Sequence, residues 1–268
     1  MKPFLACITL LLSHTSFAAT GPSYQELIQG EWMNEMPGTP ARTKNERFCI
    51  SFEKNTCSSI FTWGDYAPYS IKENVLTIKD IRLGNDKYTF SFTIAQLTDS
   101  LLTLYLLNKF SRIPDTLHFF RAQIKNKIIP GKINFYSSGC FGTCPSMYVE
   151  IDTSGNILFY GLHHAKKDGG YRGTIPAEDY NVILRLINHL PVDSIKPGYN
   201  ADWTDDQTCS VKISYSGKSL SSSAYGFNKE PMELRLLFHK LTEVYKNATL
   251  VKDAGVTKAY FDALKLSK

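Results

Sequence analysis

Two cysteines, Cys140 and Cys144, are the side chains in this 268-residue sequence whose type and spacing best suit a chemical role. They open and close the stretch Cys-Phe-Gly-Thr-Cys, which Pro145 follows. Gly142 between them should let the backbone bend until the two Cα atoms are ~5.5 Å apart, the separation that a disulfide prefers. We therefore predict a structural disulfide. Because its loop is small, we expect it to rigidify the loop more than it stabilises the whole fold.

The same pair could instead exchange disulfides with another protein, since a thiolate in a strained loop can attack a disulfide bond. Against this, the thioredoxin-type motif has two residues between its cysteines and stands at the start of a helix, whereas three residues intervene here. Cys209 bears on the choice. If it joined Cys140 or Cys144, the remaining sulfur would be a thiol and the redox alternative would gain support.

A zinc site is a further alternative, in which His163 and His164 would complete a set of ligands with Cys140 and Cys144. The two histidines open the polar segment His-His-Ala-Lys-Lys-Asp-Gly-Gly, so we expect them to face solvent. The sequence therefore predicts no metal and no cofactor.

Carboxylates between Asp202 and Asp206 could bind Ca²⁺ or act together in a hydrolase. Asp202, Asp205 and Asp206 surround Trp203, but a loop rich in aspartate more often forms a solvated turn. The sequence contains no Gly-x-Ser-x-Gly elbow, His-Glu-x-x-His helix, phosphate loop or dinucleotide-binding glycine motif. We assign no catalytic residue.

A second disulfide could join Cys49 and Cys57, which flank a turn at Lys54-Asn55. A three-residue loop over 53–55 would place both cysteines on one face of the sheet as diagonal neighbours, whereas a two-residue turn would not. Cys209 is the candidate for an unpaired cysteine. It occupies one of the apolar positions of a strand in which apolar and polar residues alternate, so we expect it to be buried.

The N-terminus has the three parts of a secretory signal peptide. A positive charge at Lys2 precedes an apolar run over 4–12, and small residues lead to a cleavage site after Ala18 or Ala19. Cys7 interrupts the apolar run, so we do not predict a lipid anchor. We expect an exported protein, periplasmic or secreted, whose mature chain has no transmembrane segment.

The net charge of +5 is spread along the chain and does not indicate a nucleic-acid partner.

The first half of the sequence is a series of short strands separated by turns. Apolar and polar residues alternate over 48–53, and about eight such strands between Gly30 and Ala122 predict a small antiparallel barrel or sandwich. The opening Gly30-Glu31-Trp32 resembles the Gly-x-Trp start of lipocalin-like domains, and segments at 69–78, 88–90 and 94–104 are similar to small bacterial members of that family. The resemblance implies an up-and-down barrel that can hold a small apolar ligand. A barrel this small could also be filled by its own aromatic side chains.

The second half of the sequence alternates strands with helices. Short strands between 132 and 175 precede a helix that Pro176 opens and Pro191 ends, and strands at 209–215 and 218–225 precede a helix opened by Pro231. This order predicts an α+β domain in which two helices cover one face of an antiparallel sheet. The predicted buried stripe of the first helix consists of Tyr180, Ile183, Leu184, Ile187 and Leu190. A further short helix could follow over 257–266.

Residues 132–246 resemble a family of exported bacterial domains that begin with Cys-Phe-Gly-Thr-Cys-Pro, a family to which we can attach no activity. The matching features are Cys140 to Pro145, an Asp-x-x-Gly-type turn at Asp152 to Asn156, the segment 202–206, Gly217-Lys218 and the start of the last long helix at 231–234. The resemblance implies fold and compartment and assigns no catalytic residue.

The predicted organisation is mostly β with α+β: a signal peptide at 1–18, a lipocalin-like barrel at 20–122, a linker at 123–131, an α+β domain at 132–248 and a tail at 249–268. From it we expect a non-enzymatic module that binds a small apolar ligand, an envelope component or a protein. The alternatives are a thiol-disulfide protein using Cys140 and Cys144, with Cys209 as a third sulfur, and a hydrolase using the 202–206 loop.

Overall fold

The computed structural model describes residues 22–34, 48–59, 66–79, 89–108 and 113–266. Within these ranges the chain forms a closed β-barrel followed by a large sheet with helices on it. The predicted signal peptide at 1–18 lies outside the described residues and stays a prediction. No helix within the described ranges combines the length and the apolar character needed to span a bilayer.

Eight antiparallel strands form the N-terminal barrel, which confirms the predicted small antiparallel barrel. Strand β1 pairs with β2 on one side and with β8 on the other, so the sheet closes on itself. The strands are β1 (Gly30–Met33), β2 (Cys49–Glu53), β3 (Thr56–Ser59), β4 (Tyr66–Lys72), β5 (Val75–Lys79), β6 (Thr89–Leu97), β7 (Leu101–Leu106) and β8 (Thr116–Arg121).

Large side chains fill the described part of the barrel interior. Trp32, Phe52, Phe92 and Phe119 all point inward and are at most 1 % exposed. A short helix, α1 (Tyr24–Leu27), lies at the end of the barrel where β8 finishes, and the guanidinium group of Arg121 donates to two of the backbone carbonyls in and beside it. That guanidinium also stacks over the Trp32 ring at 4.3 Å. The packing favours the aromatic-filled alternative over a ligand cavity.

The second sheet has eight strands in the order β13-β15-β14-β9-β10-β11-β12-β16. Its pairs are antiparallel apart from β13 and β15, which run parallel. The strands are β9 (Lys132–Ser137), β10 (Ser146–Asp152), β11 (Asn156–His163), β12 (Gly169–Thr174), β13 (Gly198–Asn200), β14 (Thr208–Tyr215), β15 (Lys218–Tyr225) and β16 (Thr249–Lys252).

Two long helices, α2 (Ala177–His189) and α3 (Met232–Asn247), cover one face of this sheet, as the sequence predicts. Inward residues of the central strands pack against them, and the Phe159 ring stacks on Tyr245 with centroids 4.7 Å apart. The predicted apolar stripe of α2 contains two of its six buried residues, Ile183 and Ile187. Asp179, Val182 and Leu186, outside that stripe, are buried too, because α2 and α3 have the barrel on their other side.

Buried charges join the barrel to the two helices. Lys240 on α3 is 4 % exposed, and its Nζ lies 2.7 Å from a carboxylate oxygen of Glu53 on β2 and of Asp179 on α2. Glu31 on β1 accepts hydrogen bonds from Arg185 on α2 and lies 3.2 Å from Nε2 of His189. A charge buried without a partner would be costly, so these pairs fix the barrel in one position on the helices.

The end of the chain adds two elements to the second sheet. Strand β16 pairs with β12 at the sheet edge, and a short helix, α4 (Lys258–Asp262), lies on the face opposite α2 and α3. The Thr257 side chain caps α4 by accepting from the Tyr260 N–H. The predicted short helix is therefore present, and the second sheet is covered on part of both faces where the sequence predicted cover on one.

Candidate functional site

The cysteine loop, residues 138–145 between β9 and β10, is closed by a disulfide. Cys140 and Cys144 are bonded, with their Cα atoms 5.5 Å apart, so this predicted pairing is confirmed. The Gly142 N–H points at Sγ of Cys140, 3.3 Å away. A Cβ on Gly142 would lie 3.7 Å from that sulfur, an ordinary contact, and the residue does not have a positive φ. The bend therefore does not depend on glycine at this position.

A buried glutamine ties the cysteine loop to the loop that precedes β14, residues 201–207, which we call the aspartate loop. The side-chain amide of Gln207 donates to the carbonyl oxygens of Ser138 and Pro145, at 3.0 Å each, and Gln207 is 8 % exposed. The Ser138 N–H donates to the Thr208 carbonyl, and the Thr208 N–H donates to Ser138 Oγ, both at 2.8 Å. Both ends of the cysteine loop are thus anchored to the neighbouring strand.

The tip of the cysteine loop presents an aromatic ring to solvent. The Phe141 N–H donates to the Asp205 carbonyl at 3.2 Å, so the backbone at the tip is held by the aspartate loop. The Phe141 side chain is 92 % exposed. The disulfide and the backbone hydrogen bond fix where this ring emerges, although nothing within the described chain packs over it.

Trp203 gives the aspartate loop its shape. Its indole Nε1 donates to Oδ2 of Asp206 at 2.8 Å, and its ring lies over Gly226, which has a φ of +74°. A Cβ at Gly226 would be 3.1 Å from the Trp203 ring and 2.6 Å from Cβ of Ala201, so the close approach requires glycine. The Gly226 N–H donates to the Gln207 carbonyl at 3.1 Å, which joins this packing to the anchor of the cysteine loop.

The three carboxylates of the aspartate loop do not converge. Asp202 is exposed and pairs with Lys229 at 2.6 Å, Asp206 is occupied by the Trp203 indole, and Asp205 accepts from the neighbouring Thr204 hydroxyl. Two carboxylates that share acid and base roles must face one substrate. Here each carboxylate has a separate contact, so the geometry does not support the hydrolase alternative.

His163 and His164 lie near the cysteine loop but do not form a metal site with it. His163 is opposite Ser146 at the end of the β10–β11 pair, and both histidine side chains are exposed, as predicted. The sulfurs of Cys140 and Cys144 are bonded to each other, so neither is a thiolate ligand. Among the described residues, no group of three or more His, Cys, Asp or Glu side chains is arranged to hold a metal ion.

The candidate disulfide between Cys49 and Cys57 is wrong, because these two cysteines lie on opposite faces of the barrel wall. The turn has two residues, Lys54 and Asn55, and Glu53 pairs with Thr56. Cys57 points into the barrel, whereas Cys49 points out toward the helices of the second sheet. Neither is part of a disulfide, and both are buried. A two-residue turn places the two cysteines on opposite faces of the sheet, so no disulfide can join them.

Cys209 is buried in β14 and is not in a disulfide, which is the arrangement we expected for it. It faces the helices, where burial raises the pKa of its thiol. A buried thiol with a raised pKa is a poor nucleophile. The redox alternative therefore lacks the third sulfur that would have supported it.

Sequence reasoning missed Gln207 and Gly226. Gln207 is one polar residue among many at the end of a polar loop, and no local pattern marks it as buried. Gly226 follows the end of β15 and was not distinguished from an ordinary turn glycine. Their roles depend on contacts with residues 19 or more positions away, which the sequence alone does not show.

Comparison with protein families gives a match to part of the chain. The family model described as a domain of unknown function (DUF6438) matches residues 131–245. The matched segment contains the cysteine loop, the aspartate loop, α2 and nearly all of α3, and it corresponds to the segment for which the Cys-Phe-Gly-Thr-Cys-Pro motif predicted a family. The barrel, β16 and α4 lie outside it. A search of curated proteins found no match to the chain.

Proposed function

We propose that this chain is an exported binding module that recognises a protein partner through the tip of the cysteine loop. The observation that carries the proposal is the position of Phe141: a phenyl ring 92 % exposed on a loop that a disulfide and a buried glutamine hold in place. The proposal assigns the chain no reaction.

An exposed phenylalanine at a fixed position has the properties of an interface anchor. Burying a phenyl ring contributes about 1.5–3 kcal/mol, and that contribution is available to a partner here. Large anchors account for most of the binding energy at protein interfaces, particularly where they are buried on association. Because the loop is closed and hydrogen-bonded before binding, little conformational entropy would be lost on association.

A partner outside the barrel is favoured over a small apolar ligand inside it. The barrel interior is occupied by Trp32, Phe52, Phe92 and Phe119, all buried. A ligand would have to displace side chains that already pack against one another, at a cost comparable to creating a cavity in a core. The barrel acts in this proposal as a second layer that buries the far side of α2 and α3.

A thiol-disulfide function for the same loop is less well supported. The cysteine loop does not open a helix, so no helix terminus stabilises a thiolate there. We therefore treat the disulfide as the support for Phe141.

Photo-crosslinking tests the proposed contact. We would replace Phe141 with benzoylphenylalanine in cells that produce the chain and irradiate them. The matched control carries the same group at Ile129, which is 79 % exposed outside the cysteine loop. We expect a discrete protein adduct from position 141, none from position 129, and loss of the adduct when Cys140 and Cys144 are both serine. Equal labelling from the two positions would contradict the proposal.

Export is tested separately, on the N-terminus of the protein isolated from the same cells. We expect the mature chain to begin at Ala19 or Thr20, after a cleaved segment, and to be found outside the cytoplasm. An intact chain that begins at Met1 and stays in the cytoplasm would contradict the exported part of the proposal, while leaving the crosslinking result to be judged by itself.

A further inference from the structure

The outer face of the second sheet, opposite α2 and α3, is apolar where β9, β10 and β11 run side by side. Its residues include Tyr136, Tyr148, Leu158, Tyr160 and Leu162. We call this surface the tyrosine face. A sheet face exposed to water normally carries polar residues, so a face of this composition requires a cover.

The cover comes from the C-terminal segment, residues 257–266. Phe261 of α4 is fully buried, and its ring stacks on Tyr148 with centroids 5.3 Å apart and planes 10° from parallel. Tyr148 in turn packs on Tyr136, with centroids 4.8 Å apart. Phe261 therefore lies on the tyrosine face together with Val256 and Leu264, and it is the largest of these three side chains.

Polar contacts on both sides of the anchor set its direction. Next to Phe261, Asp262 accepts a hydrogen bond from the Tyr148 hydroxyl at 2.9 Å. On the other side, the Tyr260 hydroxyl donates to Glu150 on β10 at 2.8 Å, and Lys132 on β9 pairs with the same carboxylate at 2.8 Å. The tyrosine face thus contacts an aromatic side chain and the carboxylate of the residue that follows it.

The segment that provides this cover lies outside the matched family domain. The family match ends at residue 245, whereas α4 begins at Lys258. The strands that form the tyrosine face all lie inside the match. The domain therefore contains the apolar face, and the residues that bury it come from an added segment.

We propose that the tyrosine face is a peptide-docking surface and that residues 257–266 occupy it as an intramolecular ligand. The segment is short and its helix has only five residues, so it can leave the face while the rest of the sheet stays folded. When it leaves, the face binds a peptide segment of another protein with the same chemistry, an aromatic side chain followed by a carboxylate.

Binding of a labelled peptide to the full-length chain tests this proposal. The probe is a fluorescent peptide with the sequence of residues 257–268, and its binding is followed by polarisation. In the Phe261→Ala chain the internal anchor is lost, so we expect this variant to bind the peptide at least tenfold more tightly than the unaltered chain does. The control chain, Ala259→Ser, changes an exposed residue of the same helix and should behave like the unaltered chain.

Changes in the peptide test the chemistry of recognition. A peptide carrying Phe261→Ala, and one carrying Asp262→Asn, should each compete more weakly than the original sequence, the first by at least tenfold. Equal binding of the original and Phe261→Ala peptides would overturn the proposal. So would binding to the Phe261→Ala chain no tighter than to the unaltered chain. The oligomeric state in solution gives a further test. If the chain is a dimer and Phe261→Ala makes it a monomer, the segment binds a second copy, and the intramolecular arrangement is overturned.

A second form of the protein covers the case in which Phe261→Ala does not fold. A protease site inserted between Ala254 and Gly255, in an exposed turn, allows the folded full-length chain to be cut afterwards. We expect the cut segment to exchange with the labelled peptide. A cut segment that stays bound and does not exchange at excess peptide would show that it is a permanent part of the fold, contrary to the proposal.

Discussion

Glu31 on the outside of the barrel and Arg185 on α2 form a two-pronged ion pair between the two halves of the protein. Nη2 of Arg185 lies 2.7 Å from Oε1 of Glu31, and Nε lies 2.9 Å from Oε2. The Glu31 side chain is 2 % exposed. Burial by itself would raise the pKa of Glu31, but hydrogen bonds and charge from His189 and Arg185 outweigh it and lower the pKa to about 2. The carboxylate is therefore charged at neutral pH.

Replacing Glu31 with glutamine should destabilise the protein strongly. The change leaves Arg185 and His189 without their charged partner, and breaking one side of a buried ion pair costs about 3–5 kcal/mol. Since Arg185 is 37 % exposed and can turn toward water, we expect about 3 kcal/mol at pH 7, measured by urea unfolding. The control is Glu178→Gln, whose side chain is 70 % exposed in its pair with Lys54, and which should cost less than about 1 kcal/mol. Equal effects would mean that the Glu31 pair contributes no more than a surface pair.

The stability of the protein should fall as the pH drops below about 6.5, with His239 as one cause. Burial, together with the charge of Arg235, lowers the pKa of His239 from 6.5 to about 3. The unfolded chain therefore binds a proton in this range that the folded chain does not, so stability is present above pH 6.5 and is lost as the pH falls toward 3. The stability that His239 contributes should fall by about 1–2 kcal/mol between pH 6.5 and 5.

The matched variant for this pH effect is His239→Gln, which cannot titrate but can still hydrogen bond to Ser58, whose Oγ lies 3.2 Å from Nδ1 of the histidine. Urea unfolding of both proteins at pH 7, 6 and 5 gives the comparison. We expect the variant to lose less stability than the unaltered protein over this range. Parallel pH profiles would show that the folded protein protonates His239 at its ordinary pKa.

The disulfide should matter more for the cysteine loop than for the whole fold. In the double variant Cys140→Ser, Cys144→Ser, a small ring is opened, and we expect a loss of about 2 kcal/mol or less in the free energy of unfolding. Hydrogen exchange at the Phe141 N–H, which donates to the Asp205 carbonyl, should become faster by more than global stability explains. Gln207→Leu provides a comparison, because it keeps the disulfide and removes the anchor. Unchanged exchange in the double variant would show that hydrogen bonds alone order the loop.

The fold was largely predictable because it depends on local patterns. Alternating residues and turn signals gave the barrel strands, and the spacing of apolar residues gave α2 and α3. The features that could not be predicted depend on the number of residues in a turn or on contacts between residues far apart in the sequence. One residue more in the turn at Lys54-Asn55 would bring Cys49 and Cys57 to the same face. The buried Asp179 on α2 is explained by Lys240 on α3, and no feature of the α2 sequence indicates that partner.

The candidate site was predicted in part for the same reason. Spacing within five residues predicted the bond between Cys140 and Cys144, and the sequence also placed an aspartate-rich loop before β14. It did not indicate that the two loops touch, because that contact requires β14 to lie beside β9 in the sheet. Strand order in a sheet is set by packing of the whole domain, and 70 residues separate Ser138 from its partner Thr208.

Gly226 and Gly217 allow a test of how tightly the aspartate loop is packed. Both have a positive φ, +74° and +73°, so alanine is strained to a similar degree at either position. At Gly217 a Cβ would meet nothing within 4 Å, whereas at Gly226 it would meet Ala201 at 2.6 Å and the Trp203 ring at 3.1 Å. We expect Gly217→Ala to cost about 1 kcal/mol and Gly226→Ala about 2–4 kcal/mol, the difference being the clash.

The two alanine variants should also differ in where they change the structure. Gly226→Ala must move Trp203, which disturbs the Asp206 hydrogen bond and, through Gln207, the anchor of the cysteine loop. We therefore expect Gly226→Ala to alter tryptophan fluorescence and to reduce crosslinking from position 141, and Gly217→Ala to do neither. Urea unfolding measures the free energy of unfolding of each variant. The crosslinking assay measures whether the change at Gly226 or Gly217 affects the tip of the cysteine loop. If both variants cost the same and leave crosslinking intact, the packing of Trp203 on Gly226 does not support the tip of the cysteine loop.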